Sequence, residues 1–182
     1  RFGGVTSLEF INGRSPHGQK GKSMCGIFGW VADGDGQMDM RRMAKIAVNT
    51  QSRGPHAFGF AWVDSLGRLH SYKQTGRISD HLALLSLARD ARMLIGHCRY
   101  ATHGAPTVNG NNHPHPVDGG WLVHNGVMGN YEALVRRYDL WPTSECDSEV
   151  LGLMIEQEKG SLLTRCRKAL GKALDGMPSQ FA

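Results

Sequence analysis

One pair of short strand-like runs restricts the fold of this chain more than any other feature. Residues 57–63 are aromatic or small and apolar, residues 68–73 form a second strand-like run, and only the stretch Asp64-Ser-Leu-Gly67 separates them. Such a short connection joins antiparallel neighbours, because a parallel pair needs a crossover of about a dozen residues or more. The pair therefore predicts a β-hairpin and an antiparallel sheet.

The remaining elements follow a simple order along the chain. Strands are predicted in the apolar run behind Cys25, over 92–100 and over 120–124, and helices over 37–50, 79–89, 130–137, from about 144 and over 161–174. Short turns join neighbouring strands, and the helices pack outside them. This order predicts an α+β fold with a largely antiparallel sheet.

Local signals refine the helices. Ser79 is a predicted N-cap, and Ser144-Glu-Cys-Asp147 matches a capping box at the start of a helix. Helical spacing places two sets of residues on buried faces: Val150, Leu151, Met154 and Ile155 in one helix, and Leu163, Cys166 and Leu170 in the last.

Composition excludes several classes of protein. The 182 residues include 24 glycines, as expected for many tight turns, and carry a formal charge of +5. The basic residues are dispersed and do not alternate with aromatic ones, so nucleic-acid binding is not predicted. No apolar run reaches the roughly 20 residues of a membrane span. Four widely spaced cysteines without a CxxC motif favour a reducing, cytoplasmic location over a disulfide framework.

The two ends of the chain differ in composition from the part between them. Residues 1–24 are rich in glycine, serine, lysine and asparagine and lack the apolar core of a secretory signal. They are predicted to be a disordered leader, a tag or a propeptide. The last residues, Ser179-Gln-Phe-Ala182, resemble the start of an apolar strand, so residues 25–182 are predicted to form an incomplete domain or a short version of its fold.

Cys25 has two interpretations. It lies directly behind Met24, and methionine removal would give it a free α-amine beside its thiol, so that nucleophile and base form one unit. A cysteine in an apolar strand is also commonly a small buried hydrophobe. Taken alone, the segment Met24-Cys-Gly-Ile-Phe-Gly-Trp30 favours the second interpretation.

Three further positions carry similar alternatives. Arg99 at the end of a strand could bind a carboxylate through two parallel hydrogen bonds, or lie on the surface. The pair Asn125-Gly126 could form an oxyanion hole, or simply a two-residue turn. Asp147 could bind an ammonium group, or belong to the capping box.

Metal and nucleotide sites are not predicted. Five histidines, at positions 97, 103, 113, 115 and 124, raise the question of a metal. No two of them have the i, i+4 spacing of a zinc protease helix, Cys98 is isolated, and spacing reveals no third ligand. Gly34-Asp-Gly36 lacks the rest of any phosphate-binding loop. The chain is expected to use neither a metal nor another cofactor.

Taken in order, these pieces resemble the class II glutamine amidotransferase domain of the N-terminal nucleophile superfamily. The matching blocks are Met24-Cys-Gly-Ile-Phe-Gly29, Arg53-Gly-Pro55 with Gly59, Gly96-His-Cys-Arg-Tyr-Ala-Thr-His-Gly104 with Asn112-His-Pro-His115, His124-Asn-Gly126 with Asn130-Tyr131, and Asp147-Ser-Glu149. Five blocks in the right order carry far more weight than any one of them. The resemblance implies an αββα sandwich of four layers, truncated at its C-terminus.

The resemblance also implies roles for particular residues. Cys25 is the implied nucleophile, with its free amine as general base, and Asn125 and the Gly126 N–H are the implied oxyanion hole. Arg99 is implied to bind the α-carboxylate of glutamine and Asp147 its α-ammonium group. Thr102 and His103 are implied to shape the glutamine pocket, and His113 belongs to the same set more loosely.

The chain departs from the family pattern in places. His56 and Phe58 replace an acidic and a small residue, and Cys98 replaces a threonine. A peptide-linked Cys25 amine cannot act as base. We expect first that translation starts at Met24 and the methionine is removed; otherwise residues 1–24 are a propeptide that is cleaved, or the domain is inactive.

The family normally attaches this domain to a second one that consumes ammonia, and nothing after Asp147 identifies that acceptor. Two alternatives stay open: an N-terminal-cysteine hydrolase of another amide, and a catalytically silent domain that binds glutamine or a partner. A metal-binding module ranks behind both.

Overall fold

A computed structural model describes residues 24–34 and 36–175. The predictions for the leader before Met24 and for an apolar strand near Ser179 fall outside the described residues. None of the helices in these two ranges is both long and apolar enough to cross a membrane.

Within the described residues, six strands form two antiparallel sheets. They are β1 (Gly26–Val31), β2 (Ala57–Val63), β3 (Leu69–Thr75), β4 (Met93–Arg99), β5 (His115–Val117) and β6 (Gly120–Leu122). The larger sheet has the strand order β1-β4-β2-β3, and the smaller is the β5-β6 hairpin. The predicted hairpin of β2 and β3 is confirmed, with Ala57 opposite Thr75 and Val63 opposite Leu69. The strand predicted over 120–124 ends early, at Leu122.

The connection between β2 and β3 is organised by one side chain. The buried carboxylate of Asp64 accepts hydrogen bonds from the backbone N–H groups of Leu66 and Arg68, and it also contacts the side chains of Arg68 and His70. The His70 contact is the largest influence holding the pKa of Asp64 well below its usual value. The hairpin is thus closed by a charged acceptor that lies inside its own turn.

The part of the chain that the structure describes also contains four α-helices and two 3₁₀ segments. The helices are α1 (Met40–Gln51), α2 (Tyr131–Arg137), α3 (Asp147–Gln157) and α4 (Leu162–Leu174), and the 3₁₀ segments span Ile78–Ala88 and Asn109–Asn111. Asp39 caps α1 by accepting hydrogen bonds from the N–H groups of Arg41 and Arg42. Each predicted helix has a counterpart, although residues 78–88 are 3₁₀ with a break at His81 rather than α-helical.

Two predicted helix starts are wrong. The N-cap residue of the 3₁₀ segment is Arg77 and not Ser79. Ser79 lies inside the segment, where its backbone N–H donates to the side-chain oxygen of Gln51. The helix predicted from Ser144 begins at Asp147, with Cys146 as its N-cap residue. Ser144 donates its hydroxyl to Glu149, which also holds Thr143, so the expected capping box is replaced by a carboxylate that fixes the preceding turn.

The buried faces were predicted with mixed success. In α3 all four predicted residues are buried. In α4 the buried residues are Ala169 and Ala173, and the predicted Cys166 is half-buried beside them, whereas Leu163 and Leu170 are 62% and 45% exposed. The spacing was helical, but the alanine face allows a closer approach to α3 than the leucine face would.

The elements stack in four layers. Helix α1 and the 3₁₀ segment 78–88 cover one face of the larger sheet and enclose an apolar core that includes Phe58, Phe60 and Met43. The β5-β6 hairpin lies on the other side, and its outer surface contacts α3, which packs against α4 around a second core. The expectation of an α+β architecture with antiparallel sheets is confirmed.

Candidate active site

Cys25 lies at the start of β1, where the chain meets the end of β4. Its thiol donates to the carbonyl of Tyr100 at 3.4 Å, and the Tyr100 N–H donates to the sulfur at 3.2 Å. The Arg53 side chain donates to the Cys25 carbonyl at 3.1 Å. The half-buried sulfur is therefore held by the backbone of the strand end that carries the other predicted residues.

The Arg53-Gly-Pro55 block owes its composition to this close approach. A Cβ at Gly54 would lie 2.4 Å from the carbonyl oxygen of Cys98 and 2.6 Å from the nitrogen of Tyr100. Only glycine lets this loop lie against the end of β4. The contact positions Arg53 on Cys25.

The electrostatic surroundings of Cys25 bring in two more predicted residues. Burial is the largest influence and raises the pKa of the thiol above its ordinary value. The Tyr100 N–H and the guanidinium of Arg99 lower that pKa, and the carboxylate of Asp147 raises it. Both predicted charges, one of each sign, are thus close enough to act on the sulfur, and both side chains are buried.

Arg99 holds the loop that follows β4. Its guanidinium donates to the side-chain oxygen of Asn112 at 2.9 Å, to the carbonyl of Gly104 at 3.1 Å and to the carbonyl of His103. The alternative of a surface arginine is wrong, because only 3% of Arg99 is exposed. A buried guanidinium with these acceptors fixes the 100–104 loop as well as supplying charge.

Asp147 begins α3 at the opposite side of the site. One carboxylate oxygen accepts the Met128 N–H at 2.6 Å and lies 3.9 Å from the Nδ1 of His103. Two hydrogen bonds between Asn111 and Glu145 tie the start of this helix to the Arg99 loop. His103 therefore contacts both charged residues, Arg99 through its carbonyl and Asp147 through its ring.

For the other predicted residues, Thr102, Asn125 and Gly126, no hydrogen bond to the sulfur is present among the described residues. Asn125 and Thr102 are exposed. The preceding residue is anchored, because the carbonyl of His124 is 3.1 Å from the Nε2 of His97 in β4. The 125–126 pair thus follows a segment fastened to the sheet that carries the Cys25 strand.

Two departures from the family pattern have structural explanations. His56 accepts the Ala101 N–H on its Nδ1 at 3.1 Å and stacks on Tyr100, so it supports the strand end that holds Cys25. Cys98 is buried, directs its thiol to the carbonyl of Ala47 and has a pKa raised to about 12 by burial. Phe58 belongs to the apolar core on the α1 side.

A cluster that sequence spacing did not predict lies beside the site. The side chains of His113, His115 and Cys146 are buried together, and their potential ligand atoms all lie within 4.8 Å of one another. Burial lowers the pKa of both histidines, that of His115 to about 4, so both imidazoles are neutral near pH 7. The sequence signal for this cluster was the His-Pro-His block at 113–115. The third residue of the cluster, Cys146, lies 31 residues after His115, so no spacing rule could have included it.

No protein-family model matches the chain. It is 39% identical over 139 residues to the isomerizing glutamine–fructose-6-phosphate aminotransferase of Bacillus licheniformis, covering 74% of this chain and 22% of that protein. It is 38% identical over 165 residues to the enzyme of the same name from Bacillus subtilis, covering 87% and 26%. The chain spans about a quarter of the length of the curated relatives it matches.

One solved structure shares the fold of this chain. The glutamine phosphoribosylpyrophosphate amidotransferase of B. subtilis superposes with a TM-score of 0.63 over 82% of this chain and 32% of that one, at 23% identity. The predicted N-terminal nucleophile architecture is therefore confirmed at the level of fold. Together with the relatives in sequence, this match identifies the chain as carrying a class II glutamine amidotransferase domain.

Proposed function

We propose that this domain hydrolyses the side-chain amide of glutamine, with Cys25 as nucleophile, and supplies the released ammonia to an acceptor. The observation that carries the proposal is the convergence of a half-buried thiol with one buried cation, Arg99, and one buried anion, Asp147. A free amino acid has one carboxylate and one ammonium group, so this pair matches both of its charged ends.

The reaction proceeds by two-step acyl transfer. The Cys25 thiolate attacks the amide carbon, and the oxyanion that forms accepts hydrogen bonds from the Asn125 side chain and the Gly126 N–H. The Cys25 α-amine, having taken the thiol proton, gives it to the departing ammonia. Water then hydrolyses the γ-glutamyl thioester to glutamate. Thr102 and His103 line the pocket, and no cofactor takes part.

The free amine is the critical requirement of this mechanism. In the chain as it stands, Met24 is joined to Cys25 by a peptide bond. An amide nitrogen is not a base at neutral pH, so activity depends on a chain whose first residue is Cys25. A chain that begins at Cys25 is therefore part of the proposal, either because translation starts at Met24 and the methionine is removed or because residues 1–24 are cleaved.

The acceptor and the location follow from weaker observations. The relatives in sequence are named for fructose 6-phosphate, which favours a sugar phosphate acceptor on a further domain or subunit. All four cysteines are free, which supports a cytoplasmic location.

The test is an intact-mass measurement after exposure to a glutamine-like diazoketone, which alkylates a thiol activated in a glutamine pocket. Two forms are compared: the full 182-residue chain and a chain beginning at Cys25. We expect one adduct on the second form, mapped to Cys25, together with ammonia release from glutamine. A Cys25→Ser variant is the control and should take no adduct.

Other outcomes separate the alternatives. Thermal stabilisation by glutamine without ammonia release from either form would indicate a silent binding domain. Turnover of a different amide with glutamine inert would indicate another N-terminal-cysteine hydrolase. Either result would overturn the proposed activity.

A further inference from the structure

Three potential metal ligands that are distant in the sequence meet beside the candidate active site. His113, His115 and Cys146 are 3%, 1% and 3% exposed, and their ligand atoms lie within 4.8 Å of one another. We propose that these three side chains bind one Zn²⁺ ion. This function is separate from glutamine chemistry and holds whether or not the domain is active.

The ring nitrogens of the two histidines are the main argument. Three of the four, Nδ1 and Nε2 of His113 and Nε2 of His115, are buried and have no hydrogen-bond partner among the described residues. Leaving a buried polar atom unpaired costs about 1–3 kcal/mol, so native structures almost always provide a partner. A metal ion binds the lone pair of one nitrogen on each neutral imidazole, so it would supply a partner for two of these three atoms.

The ligand types and their spacing suit zinc. Tetrahedral Zn²⁺ has bonds of about 2.0–2.3 Å to imidazole nitrogen and thiolate sulfur, which separates neighbouring ligand atoms by about 3.4–3.7 Å. The ligand atoms lie no more than 4.8 Å apart in the structure, so side-chain movements of about an ångström would bring them to the separations that zinc requires. Nitrogen and sulfur donors select zinc over magnesium or calcium, which prefer oxygen.

His97 offers a hydrogen-bond acceptor beside the three ligands, which bears on the fourth ligand of the zinc ion. Its Nε2 faces the carbonyl of His124 at 3.1 Å and therefore carries the proton, which leaves Nδ1 as an acceptor. That Nδ1 is buried and has no partner in the described part of the chain, and the His97 ring centroid lies 4.0 Å from that of His113. We infer a water molecule as the fourth ligand, with this nitrogen as its hydrogen-bond acceptor.

The charges around the cluster can accommodate the ion. Lys73 and Arg99 are the cations that act on His115 or Cys146, and Glu149 and Asp147 are the anions. These four charges cancel, and Zn²⁺ with one thiolate adds a single positive charge. The ion would link the loop before β5 and β5 itself to the residue that precedes α3.

The experiment uses the full 182-residue chain, stripped with a chelator and then given Zn²⁺. We expect one zinc per chain by elemental analysis and a rise in Tm of about 5 °C or more when free zinc is about 100 times its Kd. Co²⁺ in place of Zn²⁺ should give the near-ultraviolet absorption of a sulfur-to-cobalt charge transfer, which reports a thiolate ligand.

Matched variants locate the site. Cys146→Ser and His115→Gln should each weaken zinc binding by about 100-fold or more, since even the loss of a residue that only orients a ligand costs about 10–100-fold. Cys166→Ser and Cys25→Ala should keep one zinc per chain. The second control matters because Cys25 is also a half-buried free thiol, and zinc bound there would be lost in this variant.

Each remaining outcome decides the question. No stoichiometric zinc, or zinc lost only in Cys25→Ala, would overturn the proposal. If circular dichroism shows that Cys146→Ser is unfolded, His115→Gln decides. If neither variant folds, the cobalt spectrum of Cys25→Ala decides, because absence of the charge-transfer band there rules out Cys146 as a ligand.

Discussion

The two faces of the four-stranded sheet are built from different residues. Towards α1, alternate positions of β2 carry Phe58, Phe60 and Trp62, all buried in the apolar core. Towards the β5-β6 hairpin, the intervening positions of β2 carry Ala57, Gly59 and Ala61, with Val63 at the end of the strand. On β4 the same face carries His97 and Arg99, paired with Gly59 and Ala57 across the ladder.

The difference shows how one sheet separates stability from chemistry. Large apolar side chains on one face bury area away from water. On the other face, small residues let a second segment come very close: a Cβ at Gly59 would lie 2.1 Å from the carbonyl oxygen of His113. This close layer holds the buried histidines and Arg99, whose polar groups would be unfavourable in the apolar core.

The largest expected effect tests the apolar face. Phe60→Ala removes a fully buried ring that contacts Trp62 and Tyr72, and should lower the free energy of unfolding by about 3–5 kcal/mol. Denaturant unfolding measures the loss. Ile27→Ala, at a position on β1 that is 41% exposed, is the control and should cost about 1 kcal/mol or less. If both variants lost the same free energy of unfolding, the apolar face would not be the main source of stability.

The second prediction tests the catalytic side. Asn125→Ala, in a chain beginning at Cys25, should reduce glutamine turnover by about 10²–10³, because one oxyanion donor is lost. Stability should not change, since Asn125 is exposed. Asn49→Ala on the exposed surface of α1 is the matched control for turnover. Wild-type turnover in the Asn125 variant would remove that residue from the site.

The third prediction tests the close approach of the layers. Gly59→Ala should destabilise the domain by about 1–3 kcal/mol, since the added methyl group meets backbone that cannot rotate away. Gly171→Ala, in α4 with open space around its Cβ, should stabilise by about 0.5–1 kcal/mol. Denaturant midpoints of the two variants should therefore move in opposite directions, and a neutral Gly59→Ala would contradict the close packing.

The smallest effect concerns the pH dependence of Cys25. Burial raises the pKa of its thiol, so the protonated form is favoured and the reactive thiolate appears only as pH rises. Iodoacetamide labelling of Cys25 in the full chain should accelerate about tenfold per pH unit and reach half its maximum above the value of about 8.5 expected for free cysteine. Peptide mapping by mass spectrometry follows the rate. Labelling in urea is the reference, and a folded profile on its acid side would contradict the effect of burial.

Much of the fold was predictable because the signals were local. The hairpin at Asp64–Gly67, the α1 helix and the buried face of α3 each follow from spacing within about ten residues. The predictions that were wrong depended on packing. The α4 helix buries Ala169 and Ala173 rather than its leucines, and α3 begins at Asp147 because Glu149 binds Thr143 and Ser144 and holds them outside the helix.

The sequence by itself determined the antiparallel α+β architecture, the Cys25 strand and the residues that resemble a glutamine site, because these depend on residue type and on order along the chain. Only the tertiary structure decided that Arg99 is buried, that His56 supports Tyr100, and that Cys146 meets His113 and His115. The physical reason is that these contacts join segments tens of residues apart, and their geometry is set by how closely the layers pack.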